Sequence, residues 1–226
     1  MRATNLTESE EYRAAREALA AAELELVDHQ ERVAAQRRAL PRGPVLEDYE
    51  LLEATHPLDV ADDDARQVRL SELFGAPGRP LLVYHLMFGK RQTSPCPMCT
   101  MWVDGFNGIA RHVTQHADLV ILAASEIPSL RAHARRRGWD ELRLVSAGAS
   151  RFKLDLGSED ADGHQDAKIS VITRDPDGTL RHQFSATPAC SDDRPERGID
   201  LLCATWGLLD LLPGGRGEWY ASLAYE

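Results

Sequence analysis

Apolar and polar positions alternate along the chain in blocks that switch period. From Thr7 to Leu40 the sequence is rich in alanine and glutamate, and Thr7 with Glu10 makes a capping box. One long helix is expected, stopped by Pro41. Its apolar positions Tyr12, Ala15, Leu19, Ala22, Leu26 and Val33 form a broken stripe, suited to lying on a surface, its own or that of a second copy, more than to a sustained coiled coil. A Pro- and Asp-rich connector follows, with a strand expected at "YELLEA" and a short helix at "RLSELFG".

The pattern then changes. "PLLVYHLMF", Pro80 to Phe88, is a near-continuous apolar run of strand length, which a strand covered on both faces requires. After a polar loop, Cys96, Cys99, Val103, Phe106, Ala110 and Val113 recur at spacings of three and four, a single helical stripe. "DLVILAAS" is a second buried strand, and "IPSLRAHARRRGW" a helix with Pro128 in its first turn and Gly138 at its end. Its arginines form a solvated helix end that favours cations. "LRLVSA" is a third strand, "AKISVITRDPDGTLRHQFSA" a hairpin turning at Asp-Pro-Asp-Gly, and "RGIDLLCATWGLLDLLPGG" a last helix ended by Pro213 and Gly214.

Strands alternating with helices imply parallel pairing through right-handed crossovers, and a terminal hairpin adds an antiparallel edge. The expected fold is therefore α/β: a thioredoxin-like sheet with flanking helices at 80–226, preceded by a long helix and connector at 1–79. In open sheets of this kind the reactive group sits beyond the carboxyl end of a central strand, at a helix N-terminus. The cysteines of "CPMC" fall there.

Composition narrows the chemistry. With 36 acidic against 26 basic residues in 226, the field repels phosphate backbones, so nucleic acid is not an expected partner. No run approaches the length of a membrane span and the first residues carry no signal core, which gives the expectation of a soluble, cytoplasmic protein. Four cysteines are too few for a disulfide scaffold, and in a reducing compartment a C-x2-C pair is catalytic or metal-binding more often than structural. Cys203, in an apolar run, reads as a small buried hydrophobe, while Cys190, in the polar loop "TPACSDDRP", is a candidate for resolving chemistry.

Cys96, Cys99, His112 and His116 also satisfy the spacing C-x2-C-x12-H-x3-H of a zinc finger. The context is wrong: no hairpin carries the cysteines and the segment is single. One continuous helix would also place His112 roughly 20 Å beyond Cys99 at 1.5 Å per residue. The two histidines read as a polar face.

As a redox centre the pair needs little else. The positive end of a helix lowers the pKa of the first thiol, making Cys96 the nucleophile, and Cys99, one turn in and facing the sheet, is placed to resolve a mixed disulfide. Pro97 suits a first-turn position. His85, expected on the same strand face as Met87, is the candidate proton acceptor for Cys99, and Trp102, Asp104 and Asn107 are the candidates for shaping the adjacent surface against substrate. Thr93 precedes Cys96 in the order T-x-x-C seen in peroxiredoxins, though Gly89 stands where that pattern has proline. The leading expectation is a thiol-disulfide oxidoreductase or thiol-dependent peroxidase without cofactor, whose partners are a thiol reductant or a small-molecule substrate. The alternative is a mononuclear copper protein or copper-dependent oxidase, with Cys96, Cys99 and His85 as soft ligands and Met87 as a weak thioether.

The blocks "RRALP", "LSELFG", "LLVYHLMFGK", "CPMCTMWVDGFNGIARHV", "SRFKLDLG", "SVITRDPDGTL" and "RGIDLLCATWGLLDLLPGGRGE" resemble, in order and spacing, the bacterial thioredoxin-like family called domain of unknown function 899. The resemblance covers nearly the whole chain. It implies a thioredoxin fold with an N-terminal helical extension and a paired-cysteine centre, and it supplies no established reaction. Two departures stand out. Ala167 and Lys168 occupy the place where thioredoxin-like oxidoreductases carry a cis-proline, and "SATPACSDDRPERG" replaces a shorter aromatic run and inserts Cys190.

Overall fold

A computed structural model describes residues 7–54, 57–59, 65–188 and 202–225. The chain divides into two units, Met1–Arg42 and Gly43–Glu226. In the first, α1 spans Glu10–Arg38 and none of its residues is buried. Its N-cap is Ser9, whose hydroxyl accepts from the Tyr12 amide at 3.1 Å, so the cap lies two residues beyond the expected Thr7. Glu10 and Glu11 in the first turn and Arg37 and Arg38 in the last complement the helix dipole.

The second unit is built on one eight-stranded mixed sheet. In chain order the strands are β1 (Val45–Leu46), β2 (Glu50–Glu53), β3 (Arg66–Arg69), β4 (Leu81–His85), β5 (Asp118–Ala123), β6 (Arg143–Ser146), β7 (Lys168–Arg174) and β8 (Leu180–Ala186). Their order across the sheet is β1-β8-β7-β4-β5-β6-β2-β3. β4, β5 and β6 run parallel, joined through α2 (Pro97–Val113) and α3 (Ile127–Arg137), and β7 and β8 add the expected antiparallel hairpin beside β4. This is the thioredoxin-like α/β arrangement.

The connector differs from its expectation. β2 and β3 pair with each other and β2 with β6, while β1 pairs with β8, so Val45–Leu46, Glu50–Glu53 and Arg66–Arg69 belong to the sheet and the division of the chain falls at Gly43, not after 79. β3 reads Arg-Gln-Val-Arg with only Val68 buried, an edge strand whose single apolar contact gives little periodic signal. A short 3-10 helix, Leu70–Leu73, stands at the expected place. A further one-turn helix, α4 (Phe152–Asp155), and the final helix α5 (Ala204–Leu209) complete the fold. α5 ends at Leu209, before the expected stop at Pro213, and Cys190 lies outside the described residues.

Strand parity sorts the core into two faces. Tyr84, Leu119, Ile121 and Ala123 pack with Trp102, Val103, Phe106 and Trp139 on the side of α2 and α3. Leu81, Val83, Val120 and Leu122 pack with Tyr49, Leu73, Phe74 and Phe152 on the other. The continuous apolar runs of β4 and β5 follow directly from this double cover. Turn chemistry holds at the expected places: Gly138 closes α3 in the left-handed region at φ 66°, and Gly178 at φ 91° ends the Asp-Pro-Asp-Gly turn.

Candidate active site

β4 ends at His85, and the Cys96 amide returns to its carboxyl end by donating to the Met87 carbonyl at 3.0 Å. Cys96 is the N-cap residue of α2 and Pro97 occupies the first turn. The Cys96 carbonyl accepts from both the amide (3.0 Å) and the hydroxyl (3.1 Å) of Thr100, which fixes the entry to the helix. The single helix Pro97–Val113 also disposes of the zinc finger, since it separates the cysteines from His112 along one rigid axis.

The two thiols are unequal. Cys96 is half-buried and Cys99 buried, and neither is in a disulfide. The Cys99 thiol donates to Cys96, and together with the amides of Cys99 and Met98 and the Tyr220 hydroxyl it outweighs burial, holding the Cys96 thiol down at about 6. Cys99 is pushed well above the ordinary thiol value by that same hydrogen bond, by burial and by the charge on Cys96. Cys96 is the more acidic thiol because it is the more exposed and stands at the positive end of the helix. The Tyr84 hydroxyl lies within hydrogen-bonding range of Cys99, and burial with this neighbour raises its own pKa well above 10.

Both cysteines open on a cavity of about 500 Å³. It is lined by Tyr84, Met87, Met98 and Trp102, by Trp206 and Tyr220 from the C-terminal segment, and by Gly157, Asp166, Ala167, Lys168, Thr187 and Pro188. Ala167 and Lys168, at the place where thioredoxin-like oxidoreductases carry a cis-proline, therefore line the same cavity as the cysteines. Trp102 stacks on Tyr84 with ring centroids 6.5 Å apart, and among the described residues its indole N–H is buried without a partner.

The remaining expected site residues are elsewhere. His85 has the parity of Leu81 and Val83, so it points to the face opposite Tyr84 and Cys99. Its ring stacks on Phe152 and both nitrogens are engaged, one by Ser170 Oγ at 3.0 Å and one by Ser158 Oγ at 2.6 Å. Burial and the neighbouring Lys153 charge push its pKa well below the ordinary value, so it is a neutral core histidine. It does not line the cavity, and its role as proton acceptor for Cys99 is corrected accordingly. Met87 follows the strand's end and turns to the cavity, which breaks the parity that would have paired it with His85. The copper set is thereby not assembled: among the described residues the only three ligand groups within 4.8 Å of one another are Asp160, Asp162 and His164, all exposed.

Asp104 and Asn107 also leave the site. Asp104 accepts from the Trp139 indole at 2.8 Å and from Arg137 Nε at 3.1 Å. Asn107 bridges the Gly138 carbonyl and the Glu141 amide, each at 3.0 Å. Both pin α2 to the end of α3. Thr93 is exposed and does not line the cavity. Cys203 is buried in the core beside α2, as its apolar surroundings led one to expect. Tyr84 and Tyr220 were not foreseen, since contacts to the cysteines from a strand and from a segment more than a hundred residues away leave no local pattern.

The sheet order and the helix that starts at Cys96 define a thioredoxin-like fold. Residues 1–225 match the family described as "Bacterial protein of unknown function (DUF899)", and the chain belongs to it. No curated protein matches. Among solved structures the fold is similar to Mycobacterium tuberculosis AhpC, with 16% identity over 77% of this chain and 97% of that one and a TM-score of 0.49. It is also similar to the mitochondrial 2-Cys peroxiredoxin of Plasmodium falciparum, with 13% identity over 76% and 95% and a TM-score of 0.48. The peroxidoxin BcpB of Mycobacterium tuberculosis gives 18% identity over 65% and 88%, with a TM-score of 0.45. At these identities the likeness is one of fold. Among the described residues no helix is long and apolar enough to cross a membrane.

Proposed function

We propose that this protein is a thiol-disulfide oxidoreductase or thiol-dependent peroxidase in which Cys96 attacks and Cys99 resolves. The observation that carries the reading is the asymmetry of the pair: a half-buried thiol held at about 6, hydrogen-bonded by a buried thiol whose pKa is raised, both lining one cavity. At neutral pH the first is mostly thiolate and the second keeps its proton until the first is consumed.

With a disulfide substrate, Cys96 forms a bond to one sulfur, the substrate S–S bond breaks, and the departing thiolate takes a proton. Cys99 then loses its proton, attacks the Cys96 sulfur and expels the second thiolate. With a hydroperoxide, Cys96 takes the terminal oxygen as a sulfenic acid, the alcohol leaves, and closure by Cys99 releases water. Either route delivers two electrons and leaves a Cys96–Cys99 disulfide, which a thiol reductant reopens.

The cavity favours a small substrate. Ala167 offers no proline to shape a peptide-docking strand, and six of the lining side chains, Tyr84, Met87, Met98, Trp102, Trp206 and Tyr220, are aromatic or thioether. The test is turnover of small disulfides and hydroperoxides with dithiothreitol as reductant. Cys96→Ser is expected to abolish turnover, and Cys99→Ser to stop with Cys96 held in a mixed disulfide that only added dithiothreitol releases. Unchanged turnover in Cys96→Ser overturns the proposal.

A further inference from the structure

Lys168 is the first residue of β7 and lines the cavity that holds Cys96 and Cys99. Its ammonium donates to the carbonyl of Leu156 and, at 3.0 Å, to that of Gly157. Gly157 lines the same cavity, and a side chain there would begin 3.4 Å from Lys168 Nζ. The ammonium itself, and not only its stem, is therefore beside a cavity residue. An ammonium has three donors, and the two carbonyls occupy two of them. Among the described residues the third has no partner. The carbonyls hold the group in place without neutralising it, and burial of the half-buried side chain lowers its pKa against the pull of Asp166.

Among the described residues that line the cavity, Lys168 is the only cation and Asp166 the only carboxylate. They are not equivalent. Asp166 is exposed, so water screens its charge, whereas Lys168 is half-buried and less screened. The inner charge of an otherwise largely apolar cavity is positive. We propose that the free donor of Lys168 receives a carboxylate of the substrate, so that the protein acts on small disulfides or hydroperoxides that carry a carboxylate on an apolar or aromatic body. This rests on the redox reading of the cysteine pair and names the substrate class for it. The aromatic and thioether side chains cover the body, Lys168 holds the carboxylate, and Cys96 attacks the reactive bond. The thiolate of Cys96 repels an anionic substrate, and a cation in the same cavity offsets that repulsion. A neutral substrate gains nothing from it.

Two aromatic disulfides separate these contributions. Dithiobis(nitrobenzoate) carries a carboxylate on each ring and dithiodipyridine carries none, and each releases a coloured thiol when Cys96 attacks. The quantity read is the ratio of their second-order rate constants with the reduced protein, divided by the same ratio for mercaptoethanol, which removes differences in intrinsic reactivity. The native ratio is expected to exceed one. Lys168→Met should lower it about tenfold, the worth of one charge-assisted hydrogen bond, and Lys168→Arg should restore it. A thermal melt reports whether the Met variant is folded. A folded Met variant that keeps the native ratio overturns the proposal, and equal slowing with both reagents is that same result, since it marks a cation acting on the Cys96 thiolate and not on substrate. Should the Met variant not fold, the native protein decides: a ratio above one supports the proposal, and one at or below it overturns it. Failure of the underlying redox reading looks different, as a native Cys96 that reacts with neither reagent.

Discussion

Replacing Cys99 with alanine removes the thiol that donates to Cys96, the largest of the influences that hold Cys96 at about 6. A hydrogen bond to a charged group contributes about 1.5–3 kcal/mol, or about one to two pKa units. The amides of Met98 and Cys99 and the Tyr220 hydroxyl stay, so the midpoint should rise by about 1.5 units and stop short of the ordinary thiol value. The rate consequence is not a uniform loss. Intrinsic nucleophilicity climbs with pKa at a Brønsted slope of about 0.4–0.5, which for this rise is about fivefold. At pH 5 the variant should alkylate with iodoacetamide about sixfold more slowly than the native protein, near pH 7 at about the same rate, and above pH 9 about fivefold faster. The assay is the pH profile of Cys96 alkylation read by mass spectrometry. Parallel profiles with the midpoint still at about 6 would refute the claim that Cys99 sets the Cys96 thiolate.

Four further outcomes follow from the same geometry. Tyr220→Phe should raise the Cys96 midpoint in the same alkylation assay, by less than Cys99→Ala does. In its folded state Cys96 deprotonates at about 6 and in the unfolded chain near the ordinary value, so between those limits the unfolded state binds more protons. Urea titration of the reduced protein should accordingly show stability rising from pH 6 to 9 relative to Cys96→Ser, a gain present above the unfolded pKa and lost as pH falls through 6. His85→Ala, which strips Ser158 and Ser170 of a buried partner, should cost roughly 3 kcal/mol in urea denaturation while the Cys96 profile stays put; a shifted profile would restore His85 to the site. Asp104→Ala should cost about 2 kcal/mol, chiefly by leaving the buried Trp139 indole unsatisfied, again without touching Cys96.

Much of this arrangement is legible in the sequence because it is local. The run from Leu81 to His85, the loop, and the stripe Cys96, Cys99, Val103, Phe106 and Ala110 together dictate strand, return and helix, and the helix start fixes which thiol is exposed. Errors arise where one residue of parity or one distant contact decides. Tyr84 and His85 are adjacent, yet the pleat sends one to Cys99 and the other to Phe152, and the strand's end at His85 turns Met87 the other way. Asp104 and Asn107 lie on the helix face toward α3, so proximity to the cysteines in sequence misleads about function. The carbonyls that hold Lys168 follow α4, a one-turn helix that periodicity has too few residues to reveal.

The most direct test of the central claim is the intact mass and peptide map of the Cys99→Ser protein, alongside the native one, after treatment with one equivalent of a small disulfide. The native protein should become lighter by two hydrogens, with Cys96 joined to Cys99, and return to its starting mass with dithiothreitol. The variant should carry a stable half-disulfide adduct on Cys96 alone. An adduct distributed over Cys96 and Cys203, or a native protein that gains the adduct and never closes the internal disulfide, would contradict the account.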